Sequence, residues 1–585
     1  MRDSALRRPF RLPLLSLVLA LSLLLILPTG LLQATRTSVS EAVPADPASV
    51  RAQQGMVVSA NAIASQAGLE VLKAGGNAVD AAVATGFALA VVHPSAGNIG
   101  GGGFMIIRAP DGRTTALDFR EKAPLAAHPR MFLDENGEYS SDIHHNSHKA
   151  VGVPGTVAGF ALAHERYGSG SWDRLVEPAV ELAREGFELS GALAGSFERV
   201  LERMEPYPAS VAKFSRNGEP YESGALWIQP DLALTLSRIR DQGRDGFYTG
   251  ETARLIAREM ERGGGLITEE DLARYEAQER EPIQGAYRGY DVISMPPPSS
   301  GGTALALMLN ILEGYDLAAL GHNSAPYTHY LAEAMRRAFR DRARYLADTD
   351  FAEVPLDRLL SEEYAEELRS TIRPDRASES APSDVALVPE SPQTTHYSVV
   401  DANGMAVSVT YTLEAGYGSK IVVPGGGFLL NNEMGDFNAA PGLTTERGLI
   451  GTEPNLARPE QRMLSSMTPT ILARDGELVA VVGSPGGRTI INSVLQVVLN
   501  VVDLEMGIQE AVNAKRFHHQ WLPDRIRAEE GAFTPQVMEA LETMGHTVQM
   551  RGTQGRTHCI MVDPDTGELV GAPDPRDPDS GALGY

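Results

Sequence analysis

The sequence predicts a mixed α/β protein, and three observations support that fold class. From Met56 onward, short strand-like runs alternate with helix-like runs. Residues 394–413 hold two alternating polar and apolar stretches around Asn403-Gly404, which is a strong β-hairpin signal. Residues 326–348 carry apolar side chains at helical spacing, which predicts one long amphipathic helix.

Composition narrows the class of protein. The chain has 585 residues, enough to bury a large core, and 43% of them are hydrophobic, which is typical of a globular protein. There are 75 acidic and 51 basic residues, so the formal net charge is −24. Such a surface repels nucleic acid and anionic lipid, and we expect neither as a partner.

Residues 1–35 have the pattern of an export signal. A basic start is followed by the apolar run Leu14–Leu27, which Pro28 and Gly30 interrupt. The run is shorter than the ~20 residues of a membrane span, but the small-residue cleavage site near Ala34 is poor. The segment is therefore either a cleaved signal peptide or an uncleaved anchor. Both alternatives place the protein outside the cytoplasm, in the periplasm or secreted.

Neither a disulfide nor a metal centre is expected. Cys559 is the only cysteine and is interpreted as a small buried hydrophobic residue. The pairs His144-His145 and His518-His519 are adjacent and lack the i, i+4 spacing of a helical zinc site. We interpret these histidines as structural and expect no cofactor.

The first elements can be placed from their boundaries. A strand at Met56 precedes a helix that should end at Gly75-Gly76, because glycine suits the position after a helix. Asn77 should cap a second helix that stops before Pro94. In the later helix of residues 326–348, the apolar face holds Leu331, Met335, Phe339 and Leu346, and the arginines opposite are expected to be solvated.

Residues 373–393 have the composition of a mobile loop, rich in serine, proline and charge. The chain is predicted to divide there into a portion of residues 36–393 and a strand-rich portion of residues 394–585. Proteolytic cleavage concentrates in exposed segments of this kind.

The hairpin register follows from side-chain sorting. A loop of residues 402–404, with Gly404 in the left-handed conformation, pairs Asp401 with Met405, and a one-residue slip would mix polar with apolar side chains. One face then holds Tyr397, Val399, Val407, Val409 and Tyr411, and the other holds Thr394, His396, Ser398, Ser408, Thr410 and Thr412. This register sets Thr394 directly opposite Thr412.

The polar face has two possible explanations. It could be an ordinary solvent-exposed face of an antiparallel sheet. Alternatively, cleavage between Gln393 and Thr394 would make Thr394 an N-terminal nucleophile that carries its own α-amine. An α-amine has a pKa near 7.7–8.0, so it can act as a general base at neutral pH.

An ordered set of motifs resembles the gamma-glutamyltranspeptidase family. The motifs are "GGNAVDAAVA", "GNIGGGGFM", "LDFREKAP", "GVPG", "PPPSSGG", "QTTHYSVV", "TYTLEAGYGS", "LLNNEMGDF", "LSSMTPT" and "GSPGG". The resemblance implies a precursor that cleaves itself into two subunits, which together form one αββα four-layer sandwich of the N-terminal-nucleophile (Ntn) hydrolase type. The subunits would be residues 36–393 and a small catalytic subunit of residues 394–585.

The same resemblance implies catalytic roles. Thr394 would be the nucleophile, its α-amine the base, and Thr412 the residue that orients this terminus. Gly486 and Gly487 would offer backbone N–H groups as an oxyanion hole, where glycine permits close approach.

It also implies how glutamate would be recognised. Arg120 would bind the α-carboxylate, since its planar group suits bidentate contact, and Ser465 and Ser466 would add hydroxyl donors. Glu433 and Asp436 would bind the α-ammonium group. Glu414 stands where many members have asparagine, and Arg447 stands where several have an aromatic lid residue.

The implied activity is cleavage of the gamma-glutamyl bond of glutathione and related amides. A gamma-glutamyl-threonine ester would form and pass to water or to an amino acid or dipeptide acceptor. Two alternatives stay open: a cephalosporin- or glutaryl-type acylase of the same fold, and an uncleaved, inactive precursor that acts as a periplasmic binding protein. The resemblance leaves the balance of hydrolysis and transfer open, together with acceptor preference and oligomeric state.

Overall fold

A computed structural model describes residues 49–381, 394–443 and 452–585. The predicted export segment of residues 1–35, Gln393 and Arg447 lie outside the described residues, as does most of the predicted mobile loop. Within the described ranges, no helix is both long enough and apolar enough to cross a membrane.

The described elements alternate along the chain. In chain order the strands are β1 (Val50–Ala52), β2 (Met56–Ser59), β3 (Gly102–Arg108), β4 (Thr114–Phe119), β5 (Phe187–Glu188), β6 (Ser215–Arg216), β7 (Glu219–Pro220), β8 (Leu226–Trp227), β9 (Gln278–Arg280), β10 (Ile283–Tyr287), β11 (Tyr290–Ser294), β12 (Thr395–Val400), β13 (Ala406–Thr412), β14 (Thr470–Arg474), β15 (Glu477–Val482), β16 (Phe517–His518), β17 (Ile526–Glu529), β18 (Val548–Arg551), β19 (Cys559–Val562), β20 (Leu569–Ala572) and β21 (Gly581–Gly584). The helices are α1 (Ala62–Lys73), α2 (Ala78–Val92), α3 (Ser141–His145), α4 (Thr156–Tyr167), α5 (Trp172–Glu185), α6 (Gly191–Met204), α7 (Pro208–Phe214), α8 (Pro230–Gln242), α9 (Asp245–Tyr248), α10 (Gly250–Gly263), α11 (Glu269–Ala273), α12 (Gly301–Leu312), α13 (Leu317–Leu320), α14 (Ala325–Tyr345), α15 (Leu356–Leu359), α16 (Glu362–Ser370), α17 (Thr489–Val502), α18 (Ile508–Asn513) and α19 (Pro535–Thr543).

Two seven-stranded sheets form the centre of the fold. The first has the order β21-β2-β12-β13-β3-β4-β9 and the second the order β1-β20-β19-β15-β14-β11-β10. Neighbouring strands in both sheets run antiparallel. Each sheet contains strands from before residue 382 and from after residue 393. The two predicted portions therefore share both sheets and are not separate domains.

The sheets pack face to face, with helices on their outer faces. Strands β12 and β13 contact β19 and β15 of the second sheet. Helices α2 and α4 cover the outer face of the first sheet, and α12 and α17 pack on the second. The layers are helix, sheet, sheet, helix, which confirms the predicted αββα class.

Local signals in the sequence positioned the first helices correctly. Asn77 accepts hydrogen bonds from the N–H groups of Val79 and Asp80 and caps α2, and α2 ends at Val92. Helix α2 is buried on every side because it lies between the first sheet and helices α1 and α5.

The expectation of solvated arginines on α14 is wrong for three of its arginines, although Arg344 is exposed as expected. Arg336, Arg337 and Arg342 are all buried. Arg336 and Arg337 pair with Glu333, one turn earlier on the same helix, at 3.2 and 2.7 Å. These pairs satisfy the charges internally, so a second face of the helix can be covered by protein.

Candidate active site

The β12–β13 hairpin has the predicted register. Thr395 pairs with Tyr411 and Val400 with Ala406. The Asp401 N–H donates to the Met405 carbonyl at 3.1 Å, and Gly404 adopts φ +81°, in the left-handed region. The connection is therefore the three-residue loop, since glycine accepts this φ without a Cβ clash.

The polar face of the hairpin is buried between the two sheets. The Ser398 hydroxyl donates to the His558 carbonyl at 2.7 Å, and the Ser408 hydroxyl donates to the Val482 carbonyl at 3.2 Å. Both acceptors belong to or adjoin strands of the second sheet. A solvent-exposed face does not explain these side chains.

Thr394 and Thr412 stand opposite each other at the open end of the hairpin. The Thr394 hydroxyl donates to Thr412 Oγ1 at 3.5 Å, and Thr412 Oγ1 also accepts from the Glu414 N–H at 2.8 Å. Both side chains are buried, with Thr394 6% exposed. The two hydroxyls therefore occupy a nearly dry position at the edge of a cavity.

That cavity brings together nine of the ten residues that the sequence suggested as site residues. Its walls are formed by Arg120, Thr394, Thr412, Glu414, Glu433, Asp436, Ser465, Ser466, Met467, Gly487 and Ile490. Gly486, the tenth, precedes Gly487 and lines an adjacent cavity.

Gly486 and Gly487 form the turn before helix α17. Their φ angles are +137° and +57°, which residues other than glycine rarely adopt. Across the part of the chain that the structure describes, no protein acceptor is bonded to either N–H group. N–H groups at the positive end of a helix, with Gly487 in the wall of the Thr394 cavity, can stabilise a developing oxyanion.

Arg120 follows β4 and is held by backbone and carboxylates. Its side chain donates to the carbonyls of Met463 at 3.2 Å and Leu464 at 3.3 Å. Its two terminal nitrogens form short contacts with Glu433 and Asp436. These carboxylates raise the Arg120 pKa, so the guanidinium stays charged although it is buried.

Glu121 is a site residue that the sequence reasoning missed. Its carboxylate is fully buried and lies 3.6 Å from Arg120 Nη1. Burial raises the pKa of Glu121 to about 7 against the attraction of Arg120, and it raises the pKa of Glu433 too. One cation therefore faces several crowded carboxyl groups. The only sequence signal was its place next to Arg120 within "DFREKAP".

Arg342 is a second missed residue. Its side chain donates to Ser466 Oγ at 2.9 Å and to Ser300 Oγ at 2.8 Å. The Ser300 hydroxyl in turn donates to the Ser465 carbonyl at 2.6 Å. Helix α14 thereby supports the two serines from behind, which no linear motif indicates.

Glu414 is held beside the cavity rather than pointing to solvent. It accepts from the Asn432 amide and adopts φ +75°, an uncommon conformation for a non-glycine residue. Burial lowers the pKa of the nearby Lys420 to about 8, and the Glu414 charge partly opposes this shift. The surrounding protein thus keeps Glu414 in a strained backbone position at the cavity wall.

The αββα layers, with a threonine at the start of a central strand and facing an inter-sheet cavity, define the Ntn-hydrolase class. The family model described as gamma-glutamyltranspeptidase matches residues 64–584. The chain belongs to the gamma-glutamyltranspeptidase family.

Individual relatives agree with this assignment. The chain is 49% identical over 570 residues to the glutathione hydrolase proenzyme of Escherichia coli (strain K12), covering 95% of this chain and 98% of the relative. A cephalosporin acylase from Bacillus halodurans has a similar structure, with a TM-score of 0.83, 29% identity, and coverage of 94% and 98%. Helicobacter pylori gamma-glutamyltranspeptidase gives a TM-score of 0.54 and 48% identity, covering 54% of this chain and 91% of that one.

Proposed function

We propose that this protein is a self-processing gamma-glutamyltransferase and glutathione hydrolase. The observation that carries the proposal is the single cavity that joins Thr394 and Thr412 to Arg120, Glu433 and Asp436. A nucleophile beside a matched cation and anions suits a substrate with a free α-amino acid end and an amide at its γ-carbon.

Processing comes first. Thr394 Oγ attacks the Gln393 carbonyl carbon, the C–N bond breaks, and an ester links residue 393 to the threonine oxygen. Water then hydrolyses the ester, which leaves a carboxylate on Gln393 and restores the Thr394 hydroxyl. The α-amine released in this step is the base that turnover needs.

Turnover repeats this chemistry on substrate. The α-amine takes the Oγ proton as Oγ attacks the γ-carbonyl, and the N–H groups of Gly486 and Gly487 stabilise the oxyanion. Collapse of the intermediate expels the leaving amine, which takes the proton from the α-ammonium. The gamma-glutamyl ester then passes to water or to the amine of an amino acid or dipeptide.

Donor recognition uses the ion pairs that line this cavity. Arg120 contacts Glu433 and Asp436 directly. A glutamyl zwitterion offers one ammonium and one carboxylate, so it can enter between these groups without leaving a buried charge unpaired. Ser465 and Ser466 supply hydroxyls for the carboxylate. Glu414 adds a further negative group near the ammonium position.

The processed protein would be a heterodimer of its own two fragments, with small molecules as its other partners. Two observations support this. The Escherichia coli relative is named a proenzyme. Strands of both fragments also lie side by side within each sheet. Residues 1–35 would direct export to the periplasm or the medium, either as a cleaved signal or as an anchor.

An acylase is the second candidate, since a cephalosporin acylase is structurally similar. A glutaryl substrate carries no ammonium, and it would leave Glu433 and Asp436 without a cationic partner from the substrate. Purified protein should therefore hydrolyse gamma-glutamyl-p-nitroanilide much faster than glutaryl-p-nitroanilide. The reverse preference would replace our proposal with the acylase.

The third candidate, an inactive binding protein, can be tested with the same purified protein. On a denaturing gel the purified protein should run as two bands that together account for the mature chain. A single full-length band without turnover would support the binding protein instead.

A further inference from the structure

A second cavity of about 350 Å³ lies directly against the predicted oxyanion turn. Gly486 and Thr489 form one wall, and the other walls come from β17, from the last residue of β18 and from the segment that follows it. Gly486 lines this cavity, and the next residue, Gly487, lines the cavity of Thr394. The two cavities are therefore neighbours that meet at one short turn.

The loop after β18 is fitted closely to this turn. A Cβ added at Gly486 would lie 3.4 Å from Gly555 Cα. The Arg556 N–H donates to Ser484 Oγ at 3.2 Å, and Gly555 adopts φ +67°. These contacts hold the loop against the turn, and both contribute to the wall of the second cavity.

Arginines dominate the charge of the second cavity. Arg527, Arg551 and Arg556 line it. Arg527 Nη2 donates to the neutral Gln520 side chain at 2.6 Å. Among the described residues, no carboxylate forms an ion pair with any of these three arginines.

These three arginines form a local cluster of positive charge in a protein whose net charge is −24. Burial and the charges of Arg551, Arg525 and Arg488 lower the pKa of Arg527 to about 10. Arg556 lies within electrostatic range of Asp577, whose pKa burial raises to about 7. Arg527 and Arg551 are left as the two cations that an incoming anion would satisfy best.

We propose that this cavity is the subsite for the free carboxylate of the peptide on the amine side of the scissile bond. Arg527 and Arg551 would hold the C-terminal carboxylate of the leaving cysteinylglycine in glutathione, and the carboxylate of an amino acid or dipeptide acceptor. The inference rests on the proposed function and adds to it the chemical class of leaving group and acceptor.

Substrate geometry supports this placement. With the glutamyl end beside Arg120 and the carbonyl oxygen at Gly486–Gly487, the substrate's other substituent must leave the small Thr394 cavity. The second cavity shares the same turn and can bind the carboxylate that this substituent carries. Arginine suits that contact because its planar group binds carboxylates with two parallel hydrogen bonds.

The test compares glutathione with its C-terminal amide, which differs only by the missing carboxylate charge. The wild-type protein should hydrolyse glutathione with a kcat/KM at least about tenfold above that of the amide, since a charge-assisted hydrogen bond typically contributes this much. Arg527→Gln and Arg551→Gln should each reduce that ratio, mainly through KM for glutathione. Arg527→Lys should retain part of the ratio because it keeps the charge.

Arg254→Gln is the matched control, because Arg254 is an exposed arginine on α10 that pairs with Glu251. It should keep the wild-type ratio. Arg551 is also exposed, so its variant should fold even if a change at Arg527 does not. Equal rates on glutathione and the amide in the wild type would overturn the subsite, and so would an unchanged ratio in both glutamine variants.

The same proteins should also be assayed with gamma-glutamyl-p-nitroanilide, whose leaving group has no carboxylate. This assay tests the proposed function independently of the subsite. If the wild type cleaves the anilide without preferring glutathione to its amide, the subsite fails and the proposed function stands. If it cleaves neither, both proposals fail together.

Discussion

The hydroxyl of Thr394 donates to that of Thr412 at 3.5 Å, across the open end of the β12–β13 hairpin. The two residues are 18 positions apart, and the three-residue loop at Gly404 sets them opposite each other. Another loop length would turn one of them to the apolar face, toward α2. The turn at one end of the hairpin therefore decides which hydroxyls meet at the other.

Thr394→Ala should leave a single chain near the full mass. The substitution removes the oxygen that would attack the Gln393 carbonyl, so no ester can form. Thr395→Ala is the matched control: Thr395 is also buried and is adjacent, but it lies on the other face of β12. Mass spectrometry of both purified proteins checks the result. Splitting of the Thr394 variant at residue 393 without added protease would show that the cleavage is not intramolecular.

Thr412→Ser should keep substantial turnover, whereas Thr412→Val should lose about 10²-fold or more, because valine cannot orient the amine or Oγ of Thr394. Valine also removes the acceptor of the Glu414 N–H, which costs about 1–3 kcal/mol. Turnover and melting temperature should therefore be measured on the same cleaved samples.

Thr410→Val is the control for Thr412, since it makes the same exchange one pair further along the polar face. Its turnover should stay closer to that of the wild type. If Thr412→Val turns over as fast as the wild type, Thr412 does not serve the nucleophile.

Arg120→Lys should lower kcat/KM for gamma-glutamyl-p-nitroanilide by roughly tenfold to a hundredfold, mainly through KM. Lysine keeps the charge but cannot reach Glu433 and Asp436 with two separate nitrogens. The fraction of cleaved protein on a denaturing gel should not change. An unaltered kcat/KM would remove Arg120 from the donor site.

Glu121→Gln should change the dependence of stability on pH. Burial raises the pKa of Glu121 from 4.5 to about 7, so the folded protein binds a proton that the unfolded chain releases. The contribution of this group to folding stability is fully present below pH 4.5 and is lost as the pH rises toward 7. The glutamine variant lacks this loss, so its free energy of unfolding should rise relative to the wild type over that range.

Urea unfolding at about pH 5 and about pH 8 would measure the difference, with Thr394→Ala as the background so that one chain unfolds. Glu185→Gln, at an exposed position on α5, is the control, and its difference from the wild type should be the same at both pH values. A constant difference for Glu121→Gln as well would contradict the assigned pKa.

Local sequence signals predicted the structure correctly where neighbouring residues alone determine it. The Asn77 cap and the Gly404 loop depend on contacts within a few residues. Alternation of strands and helices indicated a mixed α/β class, and the four layers came from the family resemblance. The residues that the sequence suggested for the site all lie in motifs that can be read without knowing the fold, whereas Glu121 and Arg342 were missed.

The sequence by itself determined the hairpin register and the family, because the register follows from side-chain alternation and the family from ordered motifs. The tertiary structure alone decided the rest. It buried the polar face between two sheets, set Glu121 beside Arg120, and brought Arg342 behind Ser466 from a helix 124 positions away. The reason is that burial, and the pKa values that follow from it, depend on which distant segments pack together. Local sequence patterns do not determine that packing.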